Sequence, residues 1–332
     1  MVVTKPIRMR QLLLALTLSI AFLVGCSPKT TSSATSAPAA AQKSDAPGAN
    51  DTTLLWKITT PGAAAPSYLF GTIHLIPEED FFMPNRVVAA LNDADEVVFE
   101  IDPRDMQDPS MMMRIMGKIN MSDGSTLKSL LSEEEYATVK AYFDGSPLPF
   151  MFLERMKPLF TSAMVGQDFD DMGGGGGPFG GGMDGMKSYE LELTELAEAA
   201  GKEIGGLETM EFQLNLFDSI PYEAQADMLY EAVKRENEGQ AAGGDGVFGQ
   251  MVDVYRRQAV AEMAGMMDES GDTSGKFTEL LLTKRNQNWA PTIKQQTGDK
   301  TMFYAVGAGH LGGENGVIAL LRRMDVTVEP VY

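Results

Sequence analysis

The 332-residue sequence contains very little cysteine and histidine. Cys26 is the single cysteine, so no disulfide can form within the chain. His74 and His310 are the only histidines, and imidazole is the side chain most often used to bind metals in proteins. Any site that depends on histidine must therefore include one or both of these positions.

Basic residues are also scarce, with 27 Lys and Arg against 46 Asp and Glu and a formal net charge of -19. A surface of that sign repels phosphate backbones, and no basic aromatic patch offsets it. The sequence therefore excludes nucleic-acid binding. The 44% hydrophobic and 22% charged fractions are typical of a folded globular protein, long enough for one domain or two packed halves.

Apolar runs long enough to span a membrane are absent, because the longest, at 12–24, falls short of the roughly 20 residues that a spanning helix needs. A basic segment with Lys5, Arg8 and Arg10 precedes this run, as in export signals. The run ends in LVGC at 23–26, which resembles the lipobox of bacterial lipoproteins. We therefore predict a signal peptide at 1–25 and a lipidated Cys26; a plain secretory signal is the alternative.

Composition divides the rest of the chain into three kinds of segment. Residues 26–51 are rich in Ser, Thr, Ala and Pro without apolar periodicity, which predicts a disordered tether. A single folded domain is expected at 52–332, interrupted by a glycine-rich insert at about 170–186 that is too poor in side chains to pack. Together with the predicted signal peptide and lipidated Cys26, this order of tether and domain predicts a lipid-anchored protein of the bacterial envelope, at the outer membrane or cell surface.

Hydrophobic patterns in the domain alternate between strand and helix types. Strands are predicted at 54–58, 67–70, 96–101, 301–306 and 326–331. Helices are predicted at 84–91, 132–143, 188–200, 208–219, 221–237, 249–267, 276–296 and 315–324, with Pro291 interrupting the seventh. The pattern indicates an α/β fold with a central mixed or parallel sheet and many surrounding helices.

Both histidines occur in a G-x-x-H segment after a predicted strand. Gly71 precedes His74 and Gly307 precedes His310 by three residues. Ligands bind at strand ends in α/β proteins, and glycine there permits close backbone approach. Two such loops would be able to hold one divalent ion, although a lone histidine at a strand end is more often structural.

A divalent ion also needs carboxylate ligands, and several acids are suitably placed. Glu100 ends a predicted buried strand; the alternative is an acidic strand end facing solvent. Glu190 and Glu192 form a second acidic group, and Glu208 is expected to open a helix, where the helix dipole alone would favour it. Arg285 lies on an apolar helix and either pairs with a buried acid or is solvated.

Five ordered segments resemble the TraB/GumN family, which includes the Tiki metal-dependent proteases. They are YLFGTIHL at 68–75, VFEID at 98–102, GLET at 206–209 with Gln213, KRN at 284–286 with Trp289, and VGAGHLGG at 306–313. The resemblance covers nearly all of 52–332. It implies an α/β fold of two pseudo-equivalent halves, each with one G-x-x-H loop. The wider relatives of the family include erythromycin esterase-like hydrolases and haem-binding lipoproteins.

The resemblance also implies roles for individual residues. His74, His310 and Glu100 match the proposed metal or catalytic positions, with manganese or cobalt as the favoured ion and zinc as a further option. Other motif positions are matched by Gly71, Gly307, Glu208, Arg285 and Asn286, and Glu192 stands in place of an aspartate found in many members.

These observations lead to the hypothesis of a membrane-anchored, metal-dependent hydrolase that acts on a peptide or protein. Glu100 would be a ligand or the general base, and Arg285 would orient a carboxylate or stabilise an oxyanion. The alternative is a non-catalytic envelope lipoprotein that binds a metal, haem or peptide; a scaffold with relic histidines is a third. The variant Glu100→Gln distinguishes the first two hypotheses. An enzyme would lose turnover while it keeps its ligand, whereas a binding protein would lose little beyond affinity.

Overall fold

The fold was obtained as a computed structural model, which describes residues 45–107, 109–146, 148–162, 164–166, 185–239, 247–268, 278–298 and 300–332. The predicted signal peptide, the lipobox cysteine and most of the predicted tether lie outside the described residues. So does nearly all of the predicted glycine-rich insert, although Met186 begins a strand.

The predicted α/β architecture is confirmed by a six-stranded mixed sheet surrounded by helices. The strands are β1 (Leu55–Thr59), β2 (Ser67–Thr72), β3 (Leu75–Pro77), β4 (Glu96–Ile101), β5 (Met186–Ser188), β6 (Glu203–Glu208), β7 (Met302–Gly307) and β8 (Thr327–Pro330). The sheet order is β6-β4-β7-β2-β1-β8, and β3 and β5 form a separate antiparallel pair. β1 is antiparallel to β2 and β8, whereas β2 and β7 are parallel.

Helices fill most of the connection from β4 to β7. The α-helices are α1 (Asn85–Asp93), α2 (Pro109–Lys118), α3 (Leu127–Leu130), α4 (Glu133–Tyr142), α5 (Phe150–Leu153), α6 (Pro158–Ser162), α7 (Tyr189–Ala199), α8 (Met210–Asp218), α9 (Tyr222–Asn237), α10 (Val247–Arg256), α11 (Val260–Asp268), α12 (Lys284–Gln296) and α13 (Val317–Arg323). The predicted capping box of α4 is present, because Ser132 and Glu135 each accept from the other's backbone N–H. In the described residues, no helix has the length and apolar character to cross a membrane.

Three sequence predictions differ from the structure. The helix predicted at 249–267 is two helices, α10 and α11, because the chain turns at Gln258 with a positive φ of 55°. Pro291 does not interrupt α12, whose buried face of Trp289, Ala290 and Ile293 stabilises the helix across it. β6 was not predicted; Glu208 is its last residue, and Thr209 rather than Glu208 caps α8.

The chain forms two compact units. The first contains Ile73–Met83 and Val98–Val252 and is mostly helical, with a core that includes Phe99, Phe143 and Tyr189. The second contains the described residues before Ile73, together with Pro84–Val97 and Asp253–Tyr332. Its core is built on β1, β2 and β7 and includes Trp56, Phe70, Trp289, Phe303 and Tyr304.

Candidate functional site

The two G-x-x-H segments begin at the ends of strands, as the sequence predicts, and the structure shows that these strands are parallel neighbours. Thr72 ends β2 and is the register partner of Gly307, which ends β7. Gly71 is needed because a Cβ there would lie 2.7 Å from Leu311 Cδ1 and 3.1 Å from Ala308 Cα. Residues of the second segment therefore pack directly against the backbone of the first, within the second unit.

His74, in the first unit, forms a carboxylate–histidine pair with Glu190. Its Nδ1 lies 2.6 Å from Glu190 Oε1, and the side chains are 21% and 9% exposed. Ser188 Oγ donates to the other carboxylate oxygen at 3.2 Å. When a carboxylate accepts a hydrogen bond from Nδ1–H, the lone pair of the imidazole lies on Nε2, which is then the nitrogen that can bind a metal. Proteins commonly orient metal-binding histidines in this way.

A short strand pair brings these two residues together across 116 positions. β3 begins at Leu75, immediately after His74, and Leu75 is the register partner of Ser188 at the end of β5. Ser188 also caps α7 by accepting from Leu191 N, which places Glu190 in the first turn of that helix. The pairing of β3 with β5 therefore determines where Glu190 meets His74.

Glu192, predicted as the substitute for the family aspartate, lies elsewhere on α7. Its carboxylate accepts from Lys187 Nζ at 3.0 Å and is 37% exposed. This hydrogen bond is the main cause of the raised pKa of Lys187. A separation of two residues along a helix corresponds to a rotation of about 200°, so the side chains of Glu190 and Glu192 point to different sides of α7. Glu190 is the acid that contacts His74.

A second acidic group in the first unit joins Glu100 to Glu208. Glu100 is 8% exposed at the end of β4, as predicted for a buried strand. Gln213 Nε2 lies 2.7 Å from Glu208 Oε1 and 3.5 Å from Glu100 Oε2. An amide nitrogen carries two protons, so one Gln213 side chain can serve both carboxylates. The structure thus brings together three of the motif residues quoted from the sequence.

His310 belongs to a buried cluster in the second unit. Its Nδ1 lies 2.7 Å from Asn286 Oδ1, and its Nε2 lies 3.2 Å from Arg285 Nη1. The Trp289 ring is 4.4 Å from the imidazole and 4.6 Å from the guanidinium carbon. His310, Arg285 and Asn286 are 4%, 7% and 2% exposed. α12 supplies the cluster partners, and the turn after β7 supplies the histidine.

The two histidines differ in how well they fit a divalent ion. His74 has the orienting carboxylate of a metal-binding histidine, whereas Nε2 of His310 faces the Arg285 cation. A metal ion at Nε2 of His310 would have to replace that hydrogen bond, so His310 as a ligand stays a prediction from the sequence. Among the described residues, no three His, Cys, Asp or Glu side chains are close enough to form a metal-binding group.

These features define a mixed α/β protein with a carboxylate-oriented histidine close after the end of a central strand. The TraB/PrgY/gumN family model matches residues 54–330, so the chain belongs to the TraB/PrgY/gumN family.

Curated relatives share low identity over most of the chain. Zebrafish metalloprotease TIKI2 is 22% identical over 323 residues, covering 83% of this chain and 60% of its own length. Zebrafish metalloprotease TIKI1 is 23% identical, covering 86% and 65%, and human metalloprotease TIKI1 is 22% identical, covering 80% and 59%. The chain thus spans about three fifths of the length of these relatives. No solved structure matches the chain significantly.

Proposed function

We propose that this protein is a metal-dependent hydrolase that cleaves peptides or proteins. Two independent observations support the proposal. The first is that the relatives are named metalloproteases and their matches cover 83% and 86% of this chain. The contact that carries the proposal is His74 Nδ1 to Glu190 Oε1 at 2.6 Å, because it prepares one imidazole nitrogen as a ligand.

A divalent ion bound there would supply Lewis-acid chemistry, activating water and polarising the scissile carbonyl. We propose His74 as a ligand and Glu190 as the acid that keeps its Nδ1 protonated. Glu100 is the proposed further ligand or general base, with Gln213 orienting its carboxylate. Glu208 receives the shorter hydrogen bond from Gln213 and would hold that amide in place.

Metal content tests this proposal directly. The purified protein should retain manganese, cobalt or zinc after dialysis, and adding the ion should raise the melting temperature by mass action. His74→Ala should lose both the metal and metal-stimulated peptide hydrolysis. Asn288→Ala is the control, because Asn288 is exposed on α12 and lies outside the proposed site. Equal metal in wild-type protein and His74→Ala would contradict the proposal.

We also propose that the protein is exported and anchored in the envelope membrane through lipid on Cys26. The support is the basic, apolar and LVGC order of residues 1–26. In a bacterial host, the wild type should fractionate with membranes and incorporate radioactive palmitate. Cys26→Ser should incorporate none and move to the soluble or secreted fraction. Membrane retention of Cys26→Ser without label would show that another segment anchors the chain.

A further inference from the structure

The hydrogen bonds around His310 determine which ring nitrogen carries its proton. An arginine side chain can only donate, so Arg285 Nη1 at 3.2 Å requires a lone pair on His310 Nε2. A proton on Nε2 would place two N–H groups against each other. The proton of the neutral ring must therefore lie on Nδ1.

The contact on the other side of the ring leads independently to the same assignment. Asn286 Nδ2 donates to the Asn315 carbonyl oxygen at 2.9 Å, which directs its Oδ1 towards His310 Nδ1 at 2.7 Å. A carbonyl oxygen can only accept, so Nδ1 must donate. Because Asn286 is 2% exposed, water does not compete for this bond.

The same group of contacts restrains the arginine. Arg285 Nη1 also donates to the Leu281 carbonyl oxygen at 3.1 Å, and the guanidinium lies over Trp289 at 4.6 Å. With His310 Nε2 as a further acceptor, a backbone carbonyl, an imidazole and an indole all restrain the guanidinium. A buried guanidinium held in this way is fixed in orientation before any ligand arrives.

We propose that Asn286 and His310 are positioning residues for Arg285, and that His310 is not a metal ligand. Asn286 holds the imidazole in its Nδ1–H form, and the Nε2 lone pair of that form holds the guanidinium. This arrangement does not depend on whether the protein hydrolyses peptides. It assigns the two G-x-x-H histidines different roles.

Nuclear magnetic resonance of the ring nitrogens tests the proposal, because the chain has only two histidines. Protein labelled with ¹⁵N only in histidine gives two sets of ring signals, which His74→Gln assigns. His310 should show a protonated Nδ1 and an unprotonated Nε2. Asn286→Asp keeps an acceptor and should keep this pattern. Asn286→Ala removes one of the two constraints while the Arg285 contact remains, so it should lower the population of the Nδ1–H form without reversing the pattern. Asn288→Ala changes an exposed asparagine two residues further along α12 and should leave both sets of ring signals unchanged.

Zinc titration of the same sample separates this proposal from the proposed function. Zinc should shift the His74 ring signals and leave those of His310 in place. A shift of His310 Nε2 equal to that of His74 would overturn the positioning role while supporting the metal site. If neither histidine moves, the metal-dependent function fails and the assignment of His310 stands. A protonated Nε2 in wild-type protein would overturn the proposal even if Asn286→Ala did not fold.

Discussion

Replacing Glu190 by glutamine is expected to weaken the binding of manganese or zinc by about 10- to 100-fold, the usual effect of losing the acid behind a metal-binding histidine. Glutamine can still accept from His74 Nδ1, but it lacks the negative charge that makes Nε2 a better ligand. Isothermal titration calorimetry of the purified domain would give the dissociation constants. The rise in melting temperature with added metal should shrink in parallel.

Glu192→Gln is the matched control for this experiment. It makes the same chemical change two residues away on α7, at a carboxylate that contacts Lys187 instead of His74. Its metal affinity should stay within about twofold of wild type, as expected for a partly exposed surface pair. Equal losses in both variants would show that general negative charge, and not the contact with His74, supports metal binding.

Removing the carboxylate of Asp218 is expected to destabilise the fold, because it breaks a partly buried ion pair. Asp218, at the end of α8, forms an ion pair with Lys157, whose side chain is only 4% exposed. Asp218→Ala would leave a buried ammonium without its carboxylate, at a cost of about 2–3 kcal/mol in unfolding free energy. This value lies below the usual range for buried pairs because Asp218 itself is 40% exposed.

A double-mutant cycle checks that expectation. Lys157→Met removes the buried charge, so the double variant should be more stable than Asp218→Ala alone. Asp144→Ala is the control because its ion pair with Lys140 is 47% and 61% exposed, and it should cost about 0.5 kcal/mol or less. Urea unfolding followed by circular dichroism gives all the free energies. Additive effects of the two single changes would show that the buried pair is not coupled.

The main strands of the fold were predictable because their signal is local. β1, β2, β4 and β7 are runs of apolar and β-branched residues, and each was predicted to within about two residues. β6 carries Gly205 and Gly206 in a six-residue strand and lacks that signal. Gly206 is required by tertiary structure, because a Cβ there would lie 2.6 Å from Asp102 N. No local pattern predicts such an approach.

The candidate site was predictable as a set of residue types but not as a set of contacts. The matching G-x-x-H frames correctly indicated that both segments begin at strand ends. The contact of Glu190 with His74 could not be predicted, because it depends on β3 and β5, three residues each and more than 100 positions apart. The partners of His310 were quoted as motif residues, yet their contacts follow only from how α12 packs.

The β3–β5 pair has a consequence for how this chain tolerates changes in length. Glu190 is positioned by the hydrogen-bonded register of Leu75 with Ser188, because it lies two residues after Ser188. Residues inserted or deleted well before Met186 do not change this two-residue separation. A change in chain length upstream that leaves this pairing intact therefore leaves the acid in place beside its imidazole.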